Sequence, residues 1–278
     1  MTNIYPIYTI VSPNASTICK RINEEAFRYP FFNDGVSSCF KEEYEYDLSE
    51  IVLPSKDDCL PLIGLIFHTS HCGSTLLSRM LGQIQQVKVI SEPEAINGLL
   101  LAKRLHNLEE KRVIKQLRHI IQLYCQKVPF KKSVIIKLTS WNVFELKLIQ
   151  KAFPTVKWIY IDRNTEKLLQ SLKKAEGGFI DWWNHPVDIV RKQFLTNVTT
   201  ISNKETYLRN MIIGHRNQAI NGANENSFFV EYPSFIEQYE KILEHFGMDI
   251  TPKGVEASKE MLRYNSKSKE KQIWKKGK

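Results

Sequence analysis

From Leu60 onward, short apolar runs alternate with longer amphipathic stretches, and that rhythm constrains the fold more than any other feature of the 278 residues. The runs are Leu60 to His68, Val87 to Ser91, Ser133 to Leu138, Val156 to Ile161 and Ser227 to Glu231. Each has the length of one strand and is nearly continuously apolar, as strands covered on both faces are. Between and after them the pattern predicts helices over about 74–85, 95–106, 109–126, 142–152, 165–175, 187–221, 233–246 and 255–263. Strand and helix in alternation predict a three-layer α/β/α fold around a mainly parallel sheet.

Residues 1–58 do not share the rhythm. They mix β-prone pieces such as Ile4 to Val11 with polar, aromatic and acidic stretches, and are expected to be an N-terminal extension packed on the core. The main domain is expected over residues 59–265 and a basic C-terminal tail over 266–278. Ala175 to Pro186 breaks the pattern with Gly177, Gly178 and Pro186 around two tryptophans, which predicts a loop or short lid.

An excess of 39 Lys and Arg over 30 Asp and Glu gives a net charge of +9 and favours an anionic partner. The basic residues are dispersed, so a nucleic-acid module is not expected. Cys19, Cys39, Cys59, Cys72 and Cys125 have no metal or disulfide spacing and read as reduced thiols; no metal is expected. The longest apolar stretch, Leu60 to Phe67, is too short to span a bilayer and no signal segment precedes it, so a soluble, cytoplasmic protein is expected. The triplets Asn14-Ala-Ser and Asn197-Val-Thr carry little weight without such a signal.

In an open parallel sheet, ligands bind outside the carboxyl ends of the strands, where loops lead into helices with free N–H groups and partial positive charge. The first apolar run ends near His68, so Thr69, Ser70, His71, Cys72 and Gly73 form such a loop, with Ser74 and Thr75 opening the helix. Glycine permits close approach of the backbone to an anion, and the hydroxyl residues add donors. The same residues would also serve as an ordinary helix cap. A nucleotide-triphosphatase loop, G-x-x-x-x-G-K-[ST], lacks its first Gly and its Lys here.

The stretch Phe67 to Leu81, FHTSHCGSTLLSRML, resembles the loop with which the sulfotransferase family cradles the 5′-phosphosulfate of 3′-phosphoadenosine 5′-phosphosulfate (PAPS). The family places a basic residue, a small residue, Gly and two hydroxyl residues there. His71, Cys72, Gly73, Ser74 and Thr75 stand in those places. A second stretch, Val156 to Leu172, is similar to the family's 3′-phosphate element: a strand, then Arg163, then a helix carrying Ser171 eight residues later. Arginine suits that task because its planar fork meets phosphate oxygens bidentately. The alternatives are an Arg163 paired with Asp162 or Glu166 and a solvated Ser171.

The resemblance implies a sulfotransferase that moves a sulfonate group from PAPS to the hydroxyl of an unidentified acceptor, releasing PAP, with no metal in the chemistry. Ser91-Glu92-Pro93 follows the second run, and Glu92 would emerge at the same sheet edge as the loop, where a general base belongs; some sulfotransferases, notably bacterial ones and those acting on carbohydrates, are similar in using Glu, and in others a His serves. Capping of the next helix is its alternative role, and Glu94 is the competing carboxylate. His71 departs from the usual Lys or Arg but could stabilise the leaving group as an imidazolium. Lys137 is a further candidate contact, as is the segment Arg263 to Lys267. Phe179, Trp182 and Trp183 would cover the acceptor or anchor the core. A P-loop kinase or nucleotide hydrolase, and a non-catalytic nucleotide-binding relative, are the competing functions.

Overall fold

The structure, a computed structural model, describes residues 3–39, 44–174, 183, 203–248 and 250–268. The five apolar runs become β4 (Leu62–His68), β5 (Val87–Ser91), β6 (Ser133–Lys137), β7 (Lys157–Arg163) and β8 (Ser227–Tyr232). They form one five-stranded sheet in the order β5-β6-β4-β7-β8, every pair parallel. The fold is α/β, its sheet flanked by α2 (Ser74–Gly82), α3 (Glu94–His106), α4 (Glu110–Tyr124), α5 (Leu146–Ala152), α6 (Thr165–Lys173) and α7 (Lys204–Asn221). Leu65, Ile66, Ile90, Ile135, Ile136, Ile159 and Ile161 are sealed inside it, as near-continuous apolar strands require.

Several helices are shorter than their periodic pattern. Ser140–Glu145 is a 3₁₀ turn leading into α5, because Thr139 and Asn142 close a capping box at its start. The stretch predicted over 233–246 splits into a 3₁₀ turn at Ser234–Ile236 and α8 (Tyr239–His245). The last predicted helix is α9 (Pro252–Lys259), opened by Thr251 and Pro252, followed by a 3₁₀ turn at Glu260–Arg263. Of the predicted 187–221 helix, α7 begins at Lys204, and residues 187–202 lie outside the described residues.

The N-terminal residues hold order that their sequence hides. β1 (Asn3–Thr9) and β2 (Thr17–Ile22) pair antiparallel, and β2 pairs with β3 (Tyr46–Asp47). Pro6 and a register shift between Pro6 and Tyr8 interrupt the alternation, so no period survives in the sequence. This small sheet lies on α3 and α4, where Thr9 Oγ1 donates to the Ala95 carbonyl at 2.8 Å and Tyr124 Oη to the Pro6 carbonyl at 2.7 Å. A short helix, α1 (Phe32–Cys39), completes the module, and Tyr5, Ile7 and Phe32 join the same core as the main sheet.

Strand order places the site. From β4 the chain moves two places to one side, to β5, and from β7 one place to the other, to β8. Neighbouring strands whose connections diverge leave a crevice at their carboxyl ends, and β4 and β7 are such a pair. Among the described residues, no helix is long and apolar enough to cross a membrane.

Candidate functional site

β4 delivers its chain into the crevice at His68, and the backbone turns there into α2. Gly73, the N-cap of α2, has φ 87° and ψ 8°, a left-handed conformation that favours glycine. A Cβ there would also meet the Tyr232 ring at 2.5 Å. Gly73 offers α2 no side-chain cap, whereas Asn164 caps α6 through the N–H groups of Glu166 and Lys167. The cap residue therefore supplies no side-chain acceptor to the first amides of α2, the arrangement that suits an anion.

The loop residues divide by where their side chains go. Thr69 is fully buried and hydrogen-bonded through Oγ1 to Tyr160 Oη at 2.6 Å, so its side chain holds the loop to β7. Cys72 is also fully buried, and burial pushes its thiol up to about 12; it stays a neutral packing group. Ser70 Oγ is bonded to Ser140 Oγ at 2.8 Å. His71 takes φ 66°, with Nδ1 hydrogen-bonded to Ser171 Oγ at 2.8 Å. Its carbonyl accepts from Arg163 Nη1 at 3.2 Å.

His71, Arg163 and Ser171 are thus brought together across the β4/β7 crevice. The two carboxylates that could have held Arg163 have other partners: Asp162 is bonded to Arg216, and Glu166 to Arg209 at 2.7 Å. Among the described residues Arg163 has no carboxylate partner, and its guanidinium stacks on Tyr232 with 5.0 Å between them. Ser171 is half-buried rather than solvated. Tyr232, which the motifs did not single out, touches both Gly73 and Arg163; only its position at the end of β8 would have marked it.

A second cluster lies on the β5/β6 side of the loop. Ser91 is in register with Lys137, and Glu92 N donates to the Lys137 carbonyl at 2.7 Å, so register alone puts the two side chains together. Lys137 Nζ, fully buried, donates to Glu92 Oε1 at 2.5 Å and to Thr75 Oγ1 at 3.2 Å. His68 Nε2 lies 3.6 Å from the same carboxylate oxygen and 3.0 Å from the Leu138 carbonyl. Burial by itself would raise the Glu92 carboxyl; the adjacent Lys137 ammonium and His68 outweigh it and hold the group down to about 2.

Glu92 itself does not cap α3. The first amide of α3, Glu94 N, donates to Asn33 Oδ1 at 3.1 Å, and the N-cap position is Pro93. Glu94 is exposed, and partial burial with the nearby Asp34 pushes its carboxyl up. His71 and Glu92 fall in different clusters: His71 sits with Arg163 and Ser171, and the cation beside Glu92 is Lys137. The turn at Glu260–Arg263 packs on α2, and Arg79 of α2 donates to the Ser268 carbonyl at 3.4 Å, so the basic C-terminal segment abuts the loop's helix. Trp183 packs on Tyr207 with ring centres 5.2 Å apart and against the core; Phe179 and Trp182 lie outside the described residues.

A cleft of about 580 Å³ opens on the other side of β7, lined by Asp162, Arg216, Phe229 and Glu231 among others. It does not include Glu92 or Lys137, which lie at the β5/β6 end of the sheet.

No protein-family model matches the chain, and no curated protein sequence matches it. Solved structures that it resembles include the sulfotransferase STF9 from Mycobacterium avium, 10% identical, covering 74% of this chain and 68% of that one with a TM-score of 0.47. The sulfotransferase STF1 from Mycobacterium tuberculosis is 14% identical, covering 73% and 72% with a TM-score of 0.45. Mouse sulfotransferase SULT7A1, solved in complex with PAP, is 14% identical over 75% of this chain and 65% of its own, with a TM-score of 0.41.

Proposed function

We propose that the chain is a sulfotransferase that binds PAPS in the β4/β7 crevice and transfers its sulfonate group to an acceptor hydroxyl, with Glu92 as general base. The observation that carries this reading is the division of the crevice into two clusters joined by one loop. One, His71, Arg163 and Ser171, suits a phosphate monoester; the other, Glu92 with Lys137, suits proton transfer beside a developing negative charge. PAPS, when bound, supplies a sulfonate group on an activated phosphate.

The fit of the donor rests on this chain's own groups. Arg163 and Ser171 would hold the 3′-phosphate, with His71 as a neighbouring donor. The uncapped start of α2 at Gly73, with Ser74 and Thr75, would hold the 5′-phosphosulfate. Thr69 and Cys72 would contribute backbone rather than side chain, since both side chains are turned into the protein. Lys137, already bonded to Thr75, is the cation placed to stabilise charge on the departing oxygen, a task the sequence assigned first to His71.

Glu92 is kept ionised by Lys137 and is therefore able to receive a proton. While the pair lasts it is a weak base; an anion at Thr75 competes for the same ammonium and restores basicity where the acceptor stands. Replacing Glu92 by Gln is expected to lower sulfonate transfer by ~10²- to 10⁴-fold and leave binding of adenosine 3′,5′-bisphosphate intact. Unaltered turnover of the Glu92→Gln protein would reject the assignment. Turnover of ATP with Mg²⁺ in the same assay would favour the nucleotide hydrolase instead.

A further inference from the structure

The N-terminal module reaches the same site. Phe32 is buried, stacked on Phe27 with ring centres 5.3 Å apart and edge-on to Tyr124 at 5.6 Å. Its neighbour Phe31 is turned the other way and is only half-buried; Lys137 Nζ lies 5.2 Å from the centre of its ring. The segment carrying Phe31 is fixed at both ends. Arg79 of α2 donates to the Arg28 carbonyl at 3.3 Å, and Asn33 donates to the Ile7 carbonyl at 2.9 Å while accepting from Glu94 N. An aromatic ring held by this many contacts is a preformed surface.

The side on which it stands decides its role. Arg163, Ser171, His71 and Tyr232 lie along β4, β7 and β8, whereas Phe31 lies by Lys137 and the start of α3, where Glu92 emerges. Lys137 in turn donates to Glu92, so the ring flanks the cation that holds this carboxylate. The exposed carboxylates Asp34, three residues after Phe31 in the chain, and Glu94, at the start of α3, stand close to each other, which disfavours an anionic acceptor.

We propose that Phe31 is the acceptor-side wall of the site and its specificity-determining residue, selecting a hydroxyl carried on an uncharged, flat or apolar ring. The proposal rests on the assignment of Glu92 as base. It gives residues 1–58, which the sequence left without a role, a direct part in substrate choice.

The test uses the full chain and 2-naphthol as the probe for a ring hydroxyl, with glycerol 3-phosphate as the anionic open-chain contrast. Binding of each is measured by equilibrium dialysis, with and without adenosine 3′,5′-bisphosphate. The unaltered protein is expected to bind 2-naphthol and not glycerol 3-phosphate. Phe31→Ala and Phe31→Leu are expected to weaken 2-naphthol binding about tenfold, the scale of one lost aromatic contact, and Phe31→Tyr to stay within about twofold.

Affinity for the bisphosphate is expected to be the same in all four proteins, and melting temperatures close, because the ring is half-exposed. Equal 2-naphthol binding by the unaltered and Phe31→Ala proteins, absence of 2-naphthol binding, or preference for glycerol 3-phosphate each overturns the proposal. Absence of bisphosphate binding in the unaltered protein overturns the donor reading instead, and the 2-naphthol arm then still decides whether Phe31 forms a ring-binding wall.

Discussion

Lys88 and Lys137 sit on adjacent strands of one sheet, both sealed from solvent, in opposite electrostatic circumstances. Lys137 ends β6 at the carboxyl edge of the sheet and meets a carboxylate. Lys88, near the start of β5, is met by uncharged groups: it donates to the Tyr124 carbonyl at 2.7 Å and to Tyr5 Oη at 3.1 Å. Its ammonium lies 4.4 Å and 4.5 Å from the ring centres of Tyr5 and Phe27. Burial pushes Lys88 down to about 7. The contrast separates two uses of a buried cation. At the seam with the N-terminal module its stem and polar head fasten elements together and its charge is a burden; in the crevice the charge itself is balanced and held ready.

The sharpest way to break this contrast is to remove each ammonium while keeping the volume. Lys137→Met leaves Glu92 without its main partner and is expected to cost about 3–5 kcal/mol in urea unfolding, and to lower sulfonate transfer at least ~10²-fold. Lys88→Met is expected to be at least as stable as the parent at pH 7 and to leave transfer unchanged. Similar losses from both would mean that the two lysines play one structural role.

The pH dependence of stability sharpens the Lys88 half. Its pKa in the folded protein lies below that of the unfolded chain, so the unfolded state binds more protons between the two values. The penalty is therefore full below about 7 and is relieved as pH rises toward the unfolded value. Stability should rise by up to about 5 kcal/mol across that window relative to Lys88→Met, read as the difference between their urea midpoints. A parallel pH profile in the two proteins would show that Lys88 is not held near neutrality.

Arg163 tests whether shape matters at the site as well as charge. Arg163→Lys keeps the charge and loses the planar fork, and is expected to weaken adenosine 3′,5′-bisphosphate binding about 10- to 100-fold by titration calorimetry. The smallest effect is expected from Tyr232→Leu, which removes the ring under Arg163. A loss of about 0.5–1 kcal/mol, a few-fold in the same titration, corresponds to one cation–π contact. An equal or larger loss than that of Arg163→Lys would make the ring, not the guanidinium, the main anchor.

Much of the candidate site could be read from contiguous residues. His71 to Thr75 are neighbours in the chain, and a strand end followed by Gly and hydroxyl residues already implies a helix start suited to an anion, although the sequence left an ordinary cap open and only the structure shows that Gly73 provides no side-chain cap. Arg163 and Ser171 share a strand-to-helix turn in the same way. Glu92 and Lys137 could each be placed at the carboxyl edge, but their pairing, and the low carboxyl pKa that comes with it, depends on β5 and β6 being neighbours in register. His68 read only as a strand terminus until the fold set it beside Glu92.

The sequence by itself determined the layers and the local turns. Apolar runs must be covered on both faces, and a backbone bend at Gly73 is a property of a few adjacent residues. Only the tertiary structure decided which charges meet. Packing of α7 on α6 and the end of β7 gave Asp162 to Arg216 and Glu166 to Arg209, the register of β5 with β6 gave Lys137 to Glu92, and the docking of the N-terminal module brought Phe31 to Lys137 from more than a hundred residues away. Electrostatic pairing depends on distances of a few ångströms, which strand register and packing set and a linear pattern does not contain.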